Sequence, residues 1–114
     1  MAQKPRQLAI RFSLRINSRL AEIWRWNAER YGDAHATQYV ELLRNQTLAL
    51  RSEYAKGRVV PKSHSYRYLT LKKRSRGHGY VVVYQILEAE VYIIYYFHTA
   101  QDWVIQLKTM LREE

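Results

Sequence analysis

Apolar and polar positions follow two different periods in the first half of this chain. Residues 8–14 alternate, with Leu8, Ile10, Phe12 and Leu14 separated by small or polar side chains. This period of two predicts a half-buried strand. Two stretches with apolar spacings of three and four follow, and they predict two amphipathic helices. The first stripe is Leu20, Ile23, Trp24, Ala28 and Tyr31, and the second is Ala36, Tyr39, Val40, Leu43, Thr47, Leu50 and Tyr54.

Glycines mark the ends of both predicted helices. Gly32 ends the first helix, Asp33 is expected to cap the second, and Gly57 is expected to end the second. Helices joined by so short a connection fold back as an antiparallel hairpin. Because neither helix can bury its apolar stripe alone, the pair must cover another layer of structure.

The second half of the chain supplies that layer. Residues 66–72 are predicted to form a strand, and mainly apolar runs at 80–87 and 91–97 predict two more. Their short connections predict an antiparallel meander. Thr99 and Asp102 have nearly the spacing of a capping box, and a stripe of Trp103, Leu107 and Leu111 predicts a C-terminal helix. The predicted order is therefore β-α-α-β-β-β-α, an α+β fold in which a helical hairpin packs on a small, twisted, mainly antiparallel sheet. Residues 1–114 are expected to form a single domain.

The distribution of charge points to an acidic partner. The net charge is +9, and no acidic residue lies between Glu53 and Glu88. That segment would attract phosphates or an acidic protein surface, although a solvated surface that keeps the domain soluble is the alternative. The basic residues predicted to bind a target or nucleic acid are Arg67, Lys72, Lys73, Arg74 and Arg76.

Composition excludes several classes of protein. The chain has no cysteine, which excludes a disulfide scaffold and a thiolate metal site. Its four histidines are spread without the spacing of a metal site, so we expect neither a metal nor a cofactor. The longest apolar runs fall far short of the roughly 20 residues that span a bilayer, so no membrane association is expected. The absence of cysteine also fits a reducing cytoplasm, which is the expected location.

Two tryptophans of the first helix cannot share one face, because they are only two residues apart. Trp24 matches the inner stripe, and Trp26 is therefore a candidate contact for a partner protein. The alternative for Trp26 is an edge position that is half-covered by neighbouring arginine side chains.

Three stretches of the sequence resemble the RelE/ParE superfamily of bacterial toxins from type II toxin–antitoxin systems. Residues 29–34 (ERYGDA) are similar to the helical joint of ParE-like members. Residues 79–86 (GYVVVYQI) are similar to the central strand of both branches, and residues 97–103 (FHTAQDW) to the end of the last strand in ParE-like toxins. The resemblance runs from about Leu8 to Leu111 and implies a toxin that a cognate antitoxin neutralises.

The superfamily divides by target, and this sequence departs from the RelE-like branch in two places. RelE-like toxins cleave messenger RNA on the ribosome, and they often carry arginine where this chain has Val81. They also carry a basic cluster after the last strand, where this chain has residues 99–101 (TAQ) and then Asp102. A carboxylate there would repel the scissile phosphate. The resemblance therefore favours a ParE-like toxin that inhibits DNA gyrase by binding, with a ribosome-dependent mRNA endonuclease as the alternative.

Catalytic residues are needed only under the nuclease alternative. Whether the protein is an enzyme stays open at this point, although the ParE-like resemblance favours a protein that acts by binding. His98 is then the acid/base candidate, Arg74 and Arg76 would supply charge, and Tyr84, Tyr95 or Tyr96 a hydroxyl. The competing interpretation of His98 is structural, as a hydrogen-bonding group near Asp102 at the start of the last helix. The expected partners are a small acidic antitoxin, contacted by Trp26, and DNA gyrase, or the ribosome and mRNA under the alternative.

Overall fold

A computed structural model describes residues 6–71 and 79–113 of the chain. Its elements follow one another in an α+β order. They are β1 (Ala9–Phe12), α1 (Ile16–Tyr31), α2 (Asp33–Leu48), α3 (Leu50–Glu53) with a 3-10 turn (Tyr54–Lys56), β2 (Arg58–Val60), β3 (Ser63–Leu71), β4 (Tyr80–Ile86), β5 (Glu90–His98) and α4 (Trp103–Arg112).

The strands form one five-stranded sheet in the order β1-β5-β4-β3-β2. The meander of β3, β4 and β5 is antiparallel, as predicted, and β1 pairs with β5 in parallel, from Ala9 opposite Glu90 to Phe12 opposite Ile93. The predicted fold class is confirmed. The short strand β2 was not predicted, because three residues with a register shift at Val60 carry no readable alternation.

Both faces of the sheet are covered, which explains the unbroken apolar runs of its central strands. On one face Val82 and Tyr84 pack against Leu20, Ile23 and Leu43 of the helical hairpin. On the other face, Val81, Val83 and Phe97 pack with Leu107 and Met110 of α4. Successive side chains of β4 therefore point alternately into the two hydrophobic cores.

The helical hairpin forms around Gly32, as predicted. Gly32 has φ 90° and ψ 163°, a backbone region that is essentially restricted to glycine, and its N–H donates to the carbonyl of Ala28. The predicted cap at Asp33 is wrong: Asp33 is the first residue of α2, Gly32 holds the capping position, and no side chain bonds to the helix end.

The second helix does not run unbroken to Gly57. It ends at Leu48, Ala49 donates its N–H to the carbonyls of Asn45 and Thr47, and α3 begins again at Leu50. The apolar stripe continues through this break, since Leu50 is fully buried, so the periodicity could not reveal the interruption.

The first strand is shorter than the alternation of residues 8–14 predicted. Leu8 is buried and Ile10 is half-buried, but Phe12 is 38% exposed and Leu14 is 99% exposed. Strand β1 ends at Phe12 and the chain then turns into α1, so the alternation does not continue to Leu14.

Candidate functional site

Three features of the chain are candidate sites. A hollow beside His98 and a groove between α1 and α4 lie near the end of β5 and along α1. The third is the basic segment that follows β3 in the sequence. The hollow has a volume of about 400 Å³ and is lined by Arg19, Glu22, Trp26, Tyr80 and His98, among others.

His98 makes a local hydrogen bond just before the start of the last helix. Its Nδ1 accepts from the backbone N–H of Ala100 at 3.1 Å, and its ring meets Tyr80 edge-on at 5.2 Å between centroids. The Thr99 hydroxyl accepts from the N–H of Gly79, and Asp102 precedes α4 without a side-chain capping bond. The predicted capping box is therefore wrong. Because Nδ1 accepts, the neutral imidazole carries its proton on Nε2.

Arg19 was not singled out from the sequence, yet it organises this region. Its Nε donates to the carbonyl of Tyr96 at 2.9 Å, and its Nη1 contacts Glu22 at 3.0 Å. Its guanidinium lies 5.2 Å from the ring centroid of Tyr95 and 5.9 Å from that of Tyr80. A cation among aromatic rings is stabilised by their quadrupoles. No spacing in the sequence distinguishes this arginine from others on α1.

The three tyrosines proposed as hydroxyl donors have different environments. Tyr84 and Tyr96 are fully buried. The Tyr84 hydroxyl donates to the carbonyl of Tyr54 at 2.6 Å, and the Tyr96 hydroxyl is 2.6 Å from that of Thr47. Tyr95 alone of the three is half-buried, and it lines the groove between α1 and α4.

Burial of tyrosine side chains predicts a stability that falls at high pH. Burial, with a smaller contribution from Tyr80, raises the pKa of Tyr39 to about 12, and burial also raises the pKa of Tyr80, Tyr84, Tyr95 and Tyr96. The raised pKa means that the folded state holds these protons more tightly than the unfolded state. Stability should be fully present below the unfolded pKa of about 10 and should be lost as pH rises towards 12. Phenolate absorbance should show a late-titrating group that Tyr39→Phe reduces; titration of all ten tyrosines near pH 10 would contradict this.

The predicted basic cluster is only partly within the described structure. Arg67 is half-buried on β3, and its Nη1 donates to the carbonyl of Gly57 at 2.9 Å. Lys72, Lys73, Arg74 and Arg76 lie outside the described residues, as does His78. The binding role of all these basic side chains stays a prediction.

The two tryptophans of α1 are placed differently, as expected. Trp24 is half-buried, and its Nε1 donates to the Thr37 hydroxyl at 3.1 Å. Trp26 is 43% exposed, and the guanidinium of Arg30 lies 3.8 Å from the centroid of its ring. The ring therefore has arginine on one side and still offers aromatic surface to a partner. Its contact with an antitoxin stays a prediction.

A groove of about 620 Å³ lies between α1 and α4 and was not predicted. Leu14 and Ile105 stand at its rims, 99% and 61% exposed, and Tyr95, Phe97 and Met110 are among the residues that line it. The alternation of residues 8–14 had placed Leu14 inside. No sequence pattern shows that two helices on opposite faces of the sheet leave a gap here.

The other histidines give no sign of a shared site. His35 contacts the rings of Tyr31 and Tyr39 on the helical hairpin. His64 is exposed on β3. Across residues 6–71 and 79–113, no three histidine or acidic side chains come together as metal ligands. In the same residues no helix has the length and apolar character needed to cross a bilayer.

Comparison with known proteins gives a family and a fold. The family model described as the ParE toxin of the type II toxin–antitoxin system, parDE, matches residues 10–103. A solved chain from the chromosomal ParDE toxin–antitoxin system of P. aeruginosa superposes with a TM-score of 0.68 at 16% sequence identity, over 81% of this chain and 96% of that chain. No curated protein sequence matches. The long family match, together with the hairpin, sheet and last strand described above, shows that the chain belongs to the ParE toxin family of type II toxin–antitoxin systems.

Proposed function

We propose that this toxin arrests growth by binding DNA gyrase and that a cognate antitoxin neutralises it. Membership of the ParE family supports the toxin role and the antitoxin partner. The choice of gyrase over the ribosome depends on the chemistry available at the end of the sheet.

Val81 is the observation that carries this choice. It stands directly after Gly79 and Tyr80, where RelE-like sequences often have an arginine, and it is only 2% exposed in the core beneath α4. A buried valine offers no charge to a phosphate. RNA cleavage needs positive charge on the phosphate as the 2′-hydroxyl attacks, and this position does not provide it.

The region after β5 supports the same choice. Asp102 is exposed at the start of α4, where it would repel a phosphate. His98 Nδ1 already accepts a backbone hydrogen bond, which gives this side chain a structural task. The nuclease alternative instead requires His98 to act as acid or base while Arg74 and Arg76 supply charge.

We assign target binding to the basic segment that includes Arg67, Lys72, Lys73, Arg74 and Arg76, together with α4. The net charge of +9 favours an acidic surface on the target, and electrostatic attraction would speed the encounter. Helix α4 adds apolar surface through the exposed side chain of Ile105.

Two assays separate the two mechanisms. Purified protein should inhibit supercoiling by purified gyrase, and the antitoxin should restore it. Primer extension on translated messages after induction should show no new cleavage in the decoding site. Cleavage of those messages with supercoiling unaffected would overturn the gyrase proposal and favour the nuclease alternative. If induced expression left growth unchanged, the toxin role itself would fail for this chain.

A further inference from the structure

We propose that the gap between the start of β3 and the end of β4 is a binding site for a small organic phosphate, of the class of a nucleoside monophosphate. We call this gap the strand fork, and the residues that line it are His64, Ser65, Arg67, Gln85, Ile86 and Leu87. The proposal goes beyond the proposed function, because it needs neither the target nor the antitoxin.

The two strands separate at the strand fork because their pairing stops before either strand ends. The pairing begins at Leu71 opposite Tyr80 and ends at Arg67 opposite Tyr84. Beyond this last pair β4 continues along β5, and β3 extends back to Ser63 on the other side of the gap. The separation leaves a cavity of about 470 Å³, which is within the usual size range of small-ligand sites.

Residues 64–66 of β3, at the strand fork, fall between two pairings. Strand β2 pairs Val59 with Arg67 and Val60 with Ser63, so its register passes over residues 64–66. In the part of the chain that the structure describes, β4 gives these three residues no partner either. Backbone N–H groups that a sheet leaves outside its ladder are suited to bind an anion.

Arg67 gives the strand fork a positive charge that no carboxylate of the described residues neutralises by an ion pair. Its side chain is half-buried, and its Nη1 donates to the carbonyl of Gly57 at 2.9 Å, which fixes the guanidinium and leaves it further N–H donors. A partly buried charge is costly without an opposite charge, so this position favours an anion. No acidic side chain is among the residues that line the strand fork, whereas Glu22 borders both the groove between α1 and α4 and the hollow beside His98.

The other side chains of the strand fork favour a phosphate ester over a carboxylate. The Ser65 hydroxyl, the His64 imidazole and the Gln85 amide supply hydrogen-bond donors from both strands. A phosphate group presents three acceptor oxygens in a tetrahedral arrangement and can accept from several directions, whereas the two oxygens of a carboxylate lie in one plane. Ile86 and Leu87 add an apolar wall, which suits the organic part of an ester.

Titration calorimetry of the full-length chain with adenosine 5′-monophosphate tests the proposal. The nucleotide should bind at least about tenfold more tightly than inorganic phosphate, because the apolar wall adds contacts with the organic part. Adenosine should not bind, because it lacks the charged group, and acetate should not compete. An affinity for acetate, adenosine or inorganic phosphate that equals the affinity for the nucleotide would overturn the assignment to an organic phosphate.

Two substitutions that change the charge equally locate the site. Ser65→Glu places a carboxylate at the strand fork and should weaken nucleotide binding about tenfold or more by repulsion. Thr70→Glu is the matched control, because Thr70 is also exposed on β3 but pairs with Val81 outside the strand fork, and it should change the affinity less than about twofold. Both are surface positions, where substitutions rarely unfold a protein. Arg67→Gln should weaken binding as well, with its fold checked by circular dichroism.

Nuclear magnetic resonance maps the site on the unaltered chain. The nucleotide should shift the amide resonances of residues 64–67 and 85–87 and leave those of α1 and α4 in place. Weaker binding to Thr70→Glu than to Ser65→Glu would place the phosphate near the basic segment, and equal weakening of both would attribute binding to net charge. Either result would overturn the proposal, as would a lack of binding, and none of them would alter the outcome of the supercoiling assay that tests the toxin role.

Discussion

Gly57→Ala is expected to destabilise the protein by about 2–3 kcal/mol, because the new methyl group has no space. A Cβ at Gly57 would overlap the hydroxyl of Tyr84 and lie 2.7 Å from its Cζ. The Tyr84 ring cannot move aside: it is fully buried, and its hydroxyl donates to the carbonyl of Tyr54 at 2.6 Å. Arg67 Nη1 also donates to the carbonyl of Gly57, at 2.9 Å. Urea denaturation of the purified variant measures the loss.

A double-mutant cycle separates this steric effect from a general intolerance of substitution. Tyr84→Phe alone should cost about 1–2 kcal/mol, because it leaves the Tyr54 carbonyl without its donor. Combined with Gly57→Ala it should cost less than the sum of the two, since it removes the atom that the new methyl group overlaps. Gly32→Ala is the control. Its cost of about 1–3 kcal/mol arises from backbone strain at φ 90°, with no atom within 4 Å of the new Cβ, so it should add to Tyr84→Phe without coupling. A Gly57→Ala protein as stable as the wild type would contradict the close packing described here.

The junction at Gly57 shows what the sequence pattern predicts and what it does not predict. The sequence predicted a helix end at Gly57, and the chain does leave the 3-10 turn there in an extended conformation. The need for glycine at this position arises from Tyr84, which is 27 residues further along the chain and whose hydroxyl occupies the space of a Cβ. Local patterns locate turns, but they do not show which distant side chain occupies the space that a glycine leaves open.

The central strands were predictable for the opposite reason. Residues 80–84 are apolar without alternation, which is typical of a strand buried on both faces, and the structure places Val81 and Val82 in different cores. The helical hairpin was also predictable, because Gly32 interrupts two long stripes. By contrast, β2 depends on pairing with β3 through a shifted register, and its three residues carry no pattern that predicts this pairing.

The candidate surfaces were the least predictable part. Leu14 continues an alternating pattern, and its full exposure depends on β1 ending two residues earlier. In the sequence Arg67 is one of several cations in a basic stretch, but in the structure its guanidinium donates a hydrogen bond to the backbone carbonyl of Gly57. Composition therefore identifies an excess of positive charge correctly, whereas the packing decides which of these charges are free to meet a partner.

Reversal of three charges in the basic segment is expected to abolish growth arrest. Lys72→Glu, Lys73→Glu and Arg74→Glu together change the charge by six units and lower the net charge from +9 to +3. If each cation contributes up to about 1 kcal/mol to an acidic target surface, the combined loss lowers affinity roughly a hundredfold or more, and repulsion adds to it. Induced cells should then grow, and gyrase supercoiling should resist the purified variant.

The control must reproduce the change in net charge, because long-range attraction alone could slow the encounter. Arg25, Arg44 and Arg51 are exposed on α1, α2 and α3, and reversing all three also lowers the net charge to +3. If the segment itself binds the target, this control should keep most of its potency. Equal loss in both triple variants would attribute the effect to net charge and would contradict the assignment of the segment. A toxic Lys72, Lys73 and Arg74 variant would contradict it directly, and the target surface would then have to be sought on α4.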